Sequence, residues 1–148
     1  MCSTEFIVLK GTYLLSQSYP EGCPLHPSYP AVHATIAGAA ITVLKAQFDE
    51  SFTIPNPAIP NASGESLEPY AAGPLTIGDE LNKLAANIAL SRDAAGVHYR
   101  SDSLNGLRLG EAVAISLMWD FLSITPDNQL PLTFRNFSGE LVTIRPIR

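Results

Sequence analysis

The stretch SRDAAGVHYRSD (residues 91–102) separates two apolar segments that both have the periodicity of helices. In the segment before it, apolar residues recur at helical spacing, namely Leu81, Leu84, Ala85 and Ile88. Arg92 is the next member of this stripe, and an unpaired charge on a core-facing side costs several kcal/mol. The stretch therefore predicts a bound anion, with pairing of Arg92 to Asp79, Glu80 or the helix C-terminus as an equally good interpretation.

The composition indicates one soluble globular domain. The chain has 148 residues, 46% of them hydrophobic, which suffices for a sizeable core. A net charge of −5 without a basic block argues against nucleic acid or a membrane surface as a partner. The longest near-apolar run, Ala34 to Leu44, is shorter than the ~20 residues of a membrane span. No signal peptide is recognisable, so the compartment stays open, and Cys2 and Cys23 make neither a disulfide framework nor a metal site.

The first helix is predicted over residues 31–50, after a proline-rich loop at residues 20–30 that excludes regular helix or central strand. Two neighbouring faces of this helix are apolar, the first formed by Ala37, Ile41, Leu44 and Phe48 and the second by Ile36, Ala40 and Val43. A helix apolar over that much of its circumference is expected to be buried on most sides. Small residues between positions 34 and 40 would let another helix approach closely.

Two further helices flank the quoted stretch. The second is predicted over residues 77–91, with Thr76 as N-cap and an acidic residue three positions later, as in a capping box. The third is predicted over residues 104–122, with Asp102 or Ser103 as its N-cap. Its predicted apolar face contains Leu107, Ala114, Leu117 and Phe121.

The remaining segments are loops and one hairpin. Residues 51–75 contain five prolines and predict a long loop, whereas residues 1–19 form a poorly defined N-terminal segment. Two runs typical of strands, Leu132–Arg135 and Leu141–Ile144, flank the turn sequence NFSG (residues 136–139) and predict a β-hairpin. The fold class is therefore mainly α with a C-terminal β-hairpin.

The chain has three histidines, His26, His33 and His98, and two of them occupy positions suited to anion chemistry. His33 lies at the start of the first helix, where free N–H groups and the helix dipole favour an oxyanion. His98 follows Gly96, and Asp102, four residues later, can accept a hydrogen bond from its second ring nitrogen. For each histidine alone, an ordinary loop or core histidine is the more common interpretation.

Two motifs resemble those of a known superfamily. The sequence HPSYPAVH (residues 26–33) resembles the Pro-Ser-Gly-His motif of the vanadium-dependent haloperoxidases and the related type 2 phosphatidic acid phosphatases. Ser91, Arg92, His98 and Asp102 resemble the Ser-Arg, His and Asp positions of the same superfamily. The flanking sequences resemble the bromoperoxidase branch from about Tyr19 to Ile147. The resemblance implies part of a haloperoxidase-like helical bundle, with residues 20–148 as a C-terminal haloperoxidase-like domain.

The resemblance also implies roles for individual residues. His98 would be the vanadium ligand, with Arg92 and the N–H of Val32 binding the oxygens of vanadate, the implied cofactor. His33 would be the catalytic acid–base group, and Asp102 would complete the catalytic set behind His98.

The implied reaction is peroxidase chemistry. Hydrogen peroxide would oxidise a halide, bromide in preference to others, and an organic acceptor would then take up the halogen. His26 resembles a histidine of the bromoperoxidase branch near the halide path and is the candidate for that position.

The sequence departs from the family at several positions. The serine and glycine of the first motif are Ala31 and Val32 here, and the family's Lys followed seven residues later by Arg-Pro is absent. Losing the Lys, Arg and Ser together forfeits on the order of 5 kcal/mol, about a thousandfold in anion affinity. Family members also carry a long N-terminal helical region, so the chain is expected to correspond to the C-terminal part of a haloperoxidase. Weak vanadate binding and little activity are expected from it.

The sequence leaves the enzymatic activity undecided between three hypotheses. The first is a haloperoxidase that needs a missing N-terminal half or a homo-oligomer to be active. The second is a phosphatase-type site with His98 as nucleophile and His33 as acid. The third is a non-catalytic remnant that serves as an assembly module.

Overall fold

A computed structural model describes residues 25–125 and 130–145, so the predicted segment 1–19 lies outside the described residues. The elements in chain order are α1 (Val32–Gln47), β1 (Ala58–Pro60), β2 (Leu67–Pro69), α2 (Ile77–Ala94), α3 (Arg100–Ile124), β3 (Leu132–Arg135) and β4 (Leu141–Ile144). The prediction of a mainly α fold with a C-terminal hairpin is confirmed. None of the described helices is both long enough and apolar enough to cross a membrane.

Helix α1 occupies the predicted region but buries a different face. Its buried residues are mostly small or polar: Ala34, Ala37, Gly38, Ile41, Thr42 and Lys45. The prediction that α1 is buried on most sides is wrong, because Ile36, Ala40, Leu44 and Phe48 are exposed. The large apolar residues face outward because α1 packs its small residues against α3, where large side chains do not fit.

The crossing of α1 and α3 is close because glycines line it. A Cβ atom added at Gly106 would lie 2.7 Å from the carbonyl oxygen of Ala31 and 2.9 Å from Cβ of Ala34. A Cβ atom at Gly38 would likewise overlap the backbone of Leu107. The predicted close approach of a second helix to the small residues of α1 is therefore confirmed, and it brings the start of α1 against the first turns of α3.

Helix α2 begins as predicted and ends one turn later. Thr76 is the N-cap: its Oγ1 accepts a hydrogen bond from the N–H of Asp79 at 3.2 Å. The helix continues to Ala94 instead of ending near Ser91, so Arg92 lies in its last turn.

Helix α3 begins earlier than predicted, and the predicted caps Asp102 and Ser103 are wrong. The N-cap is Tyr99, and Asp102 is the third helical residue, whose carboxylate accepts the N–H of Tyr99 at 3.0 Å. The acidic residue thus reaches back to the cap position, as the last residue of a capping box does.

The hairpin closes the core at the far end of α3. Strands β3 and β4 pair antiparallel, with Phe134 opposite Val142. Phe134 and Ile144 are fully buried and pack with Met118 and Leu122 of α3. The predicted apolar face of α3 is correct at Ala114, which is buried, and wrong at Leu117 and Phe121, which are exposed because the neighbouring Met118 and Leu122 pack against the hairpin instead.

The predicted long loop contains a short ribbon that the sequence did not indicate. Strands β1 and β2 pair antiparallel, and all their residues are exposed. Each strand is three residues long and ends in a proline, so its sequence lacks the alternation by which strands are recognised.

Candidate functional site

The two sequence motifs meet at the start of α1. The N–H of Ala31 donates a hydrogen bond to the carbonyl of Asp102 at 3.1 Å. Beside this bond, Ala31 and Ala34 pack with Ala89 of α2 and with Leu107 of α3. The segment before α1, the end of α2 and the start of α3 therefore converge at one place.

His98 and Asp102 are in contact in the interior. Nδ1 of His98 lies 3.5 Å from Oδ2 of Asp102, and the two side chains are 3% and 5% exposed. Nδ1 is therefore the ring nitrogen on the side of Asp102, and Nε2 is the ring nitrogen on the opposite side. The distance is that of an ion pair, and Nδ1 of His98 is buried without a hydrogen bond among the described residues, so the orienting role of Asp102 stays a prediction.

The carboxylate of Asp102 is stabilised in its charged form. The backbone N–H of Tyr99 is the largest cause that lowers the pKa of Asp102, and the side chains of Ser28, Ser101 and His98 lower it further. Burial opposes these contacts but does not outweigh them. Asp102 is therefore an anion that faces His98.

Three other predicted site residues lie on the segments that meet here. Arg92 is half-buried in the last turn of α2, and its Nε atom is buried. Val32 and His33 are the first two residues of α1 and are exposed. Within residues 25–125 and 130–145, no hydrogen bond or ion pair connects His33 with His98. The structure thus brings together the segments that carry these residues.

His26 stands apart from the buried pair. It is exposed in the loop before α1, and its Nδ1 lies 2.9 Å from the carbonyl oxygen of Pro27. Its assignment to a halide path stays a prediction.

Sequence reasoning missed the serines of this region. Ser28 belongs to the first motif, yet its side chain contributes to the charge state of Asp102 in the second. Ser103 is buried, and its hydroxyl donates to the carboxylate of Asp93 at 2.8 Å. The only signal for Ser103 was its position next to Asp102, which led to its interpretation as a cap.

Most of the chain matches one protein-family model. The model described as the VCPO second helical-bundle domain matches residues 12–127 of the chain. The chain belongs to this family. Its three described helices and their mutual packing agree with the helical-bundle description, and the resemblance found in the sequence motifs is confirmed.

Individual relatives are named vanadium-dependent bromoperoxidases. The chain is 40% identical to the vanadium-dependent bromoperoxidase of Corallina officinalis over 134 residues, 90% of the chain and 22% of that relative. It is also 40% identical to the vanadium-dependent bromoperoxidase of Ascophyllum nodosum over 136 residues, 90% of the chain and 24% of that relative. The chain is likewise 40% identical to the vanadium-dependent bromoperoxidase of Corallina pilulifera over 134 residues. The chain therefore spans about a quarter of the length of the curated relatives it matches.

Proposed function

We propose that the chain carries a vanadate site of the bromoperoxidase type, within a haloperoxidase-like domain formed by residues 20–148. One observation carries the proposal: the two motifs join through the bond from Ala31 to Asp102, beside the buried His98–Asp102 pair. The names of the 40% identical relatives support vanadate as the cofactor and bromide as the halide.

The residues at this junction fit an oxyanion. The contact of Nδ1 of His98 with Asp102 leaves Nε2 as the nitrogen suited to bind a metal. The planar guanidinium of Arg92 matches the oxygens of a tetrahedral anion. The first N–H groups of α1, including that of Val32, have no partner one turn earlier within the helix and lie at the positive end of its dipole.

Each residue would have its own task. His98 would bind the vanadium atom, Arg92 and the N–H of Val32 would bind the oxygens, and Asp102 would keep a proton on Nδ1 of His98. His33 would give and take a proton on a ring nitrogen when hydrogen peroxide binds. When bound, vanadate supplies a Lewis-acidic centre that makes peroxide a stronger oxidant of the halide. An organic acceptor would then be halogenated.

The affinity of the chain for vanadate is expected to be low. Ala31 has no hydroxyl to offer, and its N–H is already bonded to the carbonyl of Asp102. The residue is also fully buried against α3, so it has no polar group directed to a ligand. These features support weak binding, and with it a low turnover for the chain by itself.

Two assays run in parallel test the proposed function. The first measures bromination of a phenol dye with bromide, hydrogen peroxide and vanadate, and the second measures phosphate release from a monoester. We expect slow bromination that requires vanadate and is lost in His98→Ala. Phosphate release that is lost in His98→Ala would instead support the phosphatase hypothesis, and inactivity in both assays would support the non-catalytic one. Arg108→Ala, an exposed substitution on α3, is the control.

The exposed apolar face of α3 supports association with a partner. Leu109, Val113, Leu117 and Phe121 follow one another at a spacing of four residues, and all are exposed, Leu117 by 63%. Such a ridge is the surface on which a further helix packs. We propose that a second copy of the chain or a haloperoxidase N-terminal half covers it. The mass in solution tests the first alternative: Leu117→Glu should return an oligomer to the monomer, and a wild-type monomer would contradict it.

A further inference from the structure

One buried hydrogen bond joins the end of α2 to the start of α3. The hydroxyl of Ser103, a residue only 2% exposed, lies 2.8 Å from Oδ1 of Asp93 and 3.2 Å from the carbonyl of Ala89. A hydroxyl has one proton, so it donates fully to one acceptor at a time. The shorter contact is to the carboxylate, which is also the stronger acceptor.

The two partners of this bond are sequence neighbours of predicted site residues. Asp93 follows Arg92 directly, and Ser103 follows Asp102, which contacts His98. The bond therefore crosses the connection between α2 and α3 and sets the distance between its two ends.

The last turn of α2 also accepts hydrogen bonds from the backbone of the segment that connects α2 to α3. The carbonyl of Asp93 accepts the N–H of Gly96 at 3.0 Å, and the carbonyl of Arg92 accepts the N–H of Val97 at 3.3 Å. Gly96 adopts a φ of 78°, a left-handed conformation in which the chain turns sharply just before His98. A shift of Asp93 would therefore move Gly96, which lies two residues before His98.

We propose that Asp93 and Ser103 are positioning residues that hold Arg92 and His98 in the relative arrangement needed to bind an oxyanion. The inference rests on the proposed function, because it names the support of the same site. The carboxylate of Asp93 binds α3 by accepting the hydroxyl proton of Ser103. The carbonyl of Asp93 binds the connection by accepting the N–H of Gly96. Supporting contacts of this kind are typically worth about 10–100-fold in metal affinity.

The experiment compares the full chain with Ser103→Ala, Asp93→Ala and the double variant. Asp93→Asn keeps an acceptor oxygen and serves as the rescue variant. Ser123→Ala is the control, since the hydroxyl of Ser123 donates to Trp119 within α3 and touches neither motif. Three quantities are measured: vanadate affinity by vanadium-51 NMR, the nitrogen-15 signals of the His98 ring together with amide exchange of residues 96–99, and the melting temperature.

We expect either single alanine variant to weaken vanadate binding by about tenfold and to shift the His98 ring signals. The double variant should lose no more than the singles, because both remove the same bond, and Asp93→Asn should recover most of the affinity. Additive losses, or a lower melting temperature with unchanged ring signals and affinity, would overturn the inference and leave a structural bond. If the wild-type chain binds no vanadate while the ring signals still shift in the variants, the proposed function fails and the positioning of His98 stands.

Discussion

The two ends of the α1–α3 pair both contain buried charge, and they handle it differently. At the first end, Asp102 is surrounded by donors, with the N–H of Tyr99 and the ring of His98 in contact. At the other end, the ammonium of Lys45, 1% exposed, donates to Asn82 at 3.1 Å and lies 5.0 Å from the ring centre of Phe137.

The carboxylates near Lys45 bind the hairpin. Glu111 accepts the N–H of Phe137 at 2.7 Å, and Glu50 accepts the N–H of Arg135 at 2.9 Å. Burial lowers the pKa of Lys45 and raises that of Glu111, although the charges of the two groups oppose both shifts. We call Lys45, Asn82, Glu111 and Phe137 the hairpin cluster.

The difference between the ends concerns how completely each charge is balanced. The pKa of Asp102 is lowered, so the hydrogen bonds to its carboxylate stabilise the charged form by more than burial destabilises it. In the hairpin cluster, burial destabilises the charged forms of Lys45 and Glu111 by more than their mutual attraction stabilises them. The hairpin cluster is therefore a structural element that fastens β3 and β4 to the helices. At the other end, the carboxylate of Asp102 is kept in its charged form beside His98, as the proposed oxyanion site requires.

Removal of the cation from the hairpin cluster should have the largest effect on stability. Lys45→Ala removes a fully buried side chain together with its hydrogen bond to Asn82, and we expect a loss of about 2–5 kcal/mol in the free energy of unfolding. Chemical denaturation measures it. Lys83→Ala, which removes an exposed lysine paired with Glu80, is the control and should change little. Lys45→Met combined with Glu111→Gln should recover most of the loss, and a loss as large as in Lys45→Ala would contradict this account.

A smaller loss is expected where α1 crosses α3. Gly106→Ala places a methyl group against the carbonyl of Ala31 and should cost about 1–3 kcal/mol by overpacking. The better helix propensity of alanine offsets about 1 kcal/mol of this. Because Ala31 is bonded to Asp102, vanadate affinity should fall as well. Ser116→Ala, at an exposed position of α3, is the matched control, and equal behaviour of the two variants would show that the crossing is not tight.

The smallest effect concerns acid stability. Since the pKa of Asp102 is lowered in the folded chain, its contribution to stability is present above its ordinary value and is lost as the pH falls through the lowered pKa. Asp102→Asn should therefore make the decrease in unfolding free energy below about pH 4 shallower than in the wild type. Denaturation between acid and neutral pH measures it, with Asp120→Asn of the same helix as control. An unchanged slope would mean that Asp102 is not stabilised as an anion.

The sequence predicted the end at Asp102 far better than the hairpin cluster. Thr76 with Asp79, and His98 with Asp102, are local patterns, and local spacing carries them directly. The buried faces of the helices were predicted wrongly for a different reason. Large apolar residues such as Leu117 predict a core, but the glycines at the α1–α3 crossing decide which face can pack. Lys45 was not predicted as buried because its partners, Asn82 and the ring of Phe137, lie 37 or more residues away in sequence.

The central claim is that His98 and its surroundings form an oxyanion site, and vanadate binding tests it most directly. Vanadium-51 NMR of the wild-type chain, His98→Ala and the control Arg108→Ala, titrated to about 1 mM vanadate, gives the dissociation constants. We predict weak, saturable binding by the wild type and by Arg108→Ala, and no saturable binding by His98→Ala. Equal binding by wild type and His98→Ala, or none by the wild type, would contradict the account.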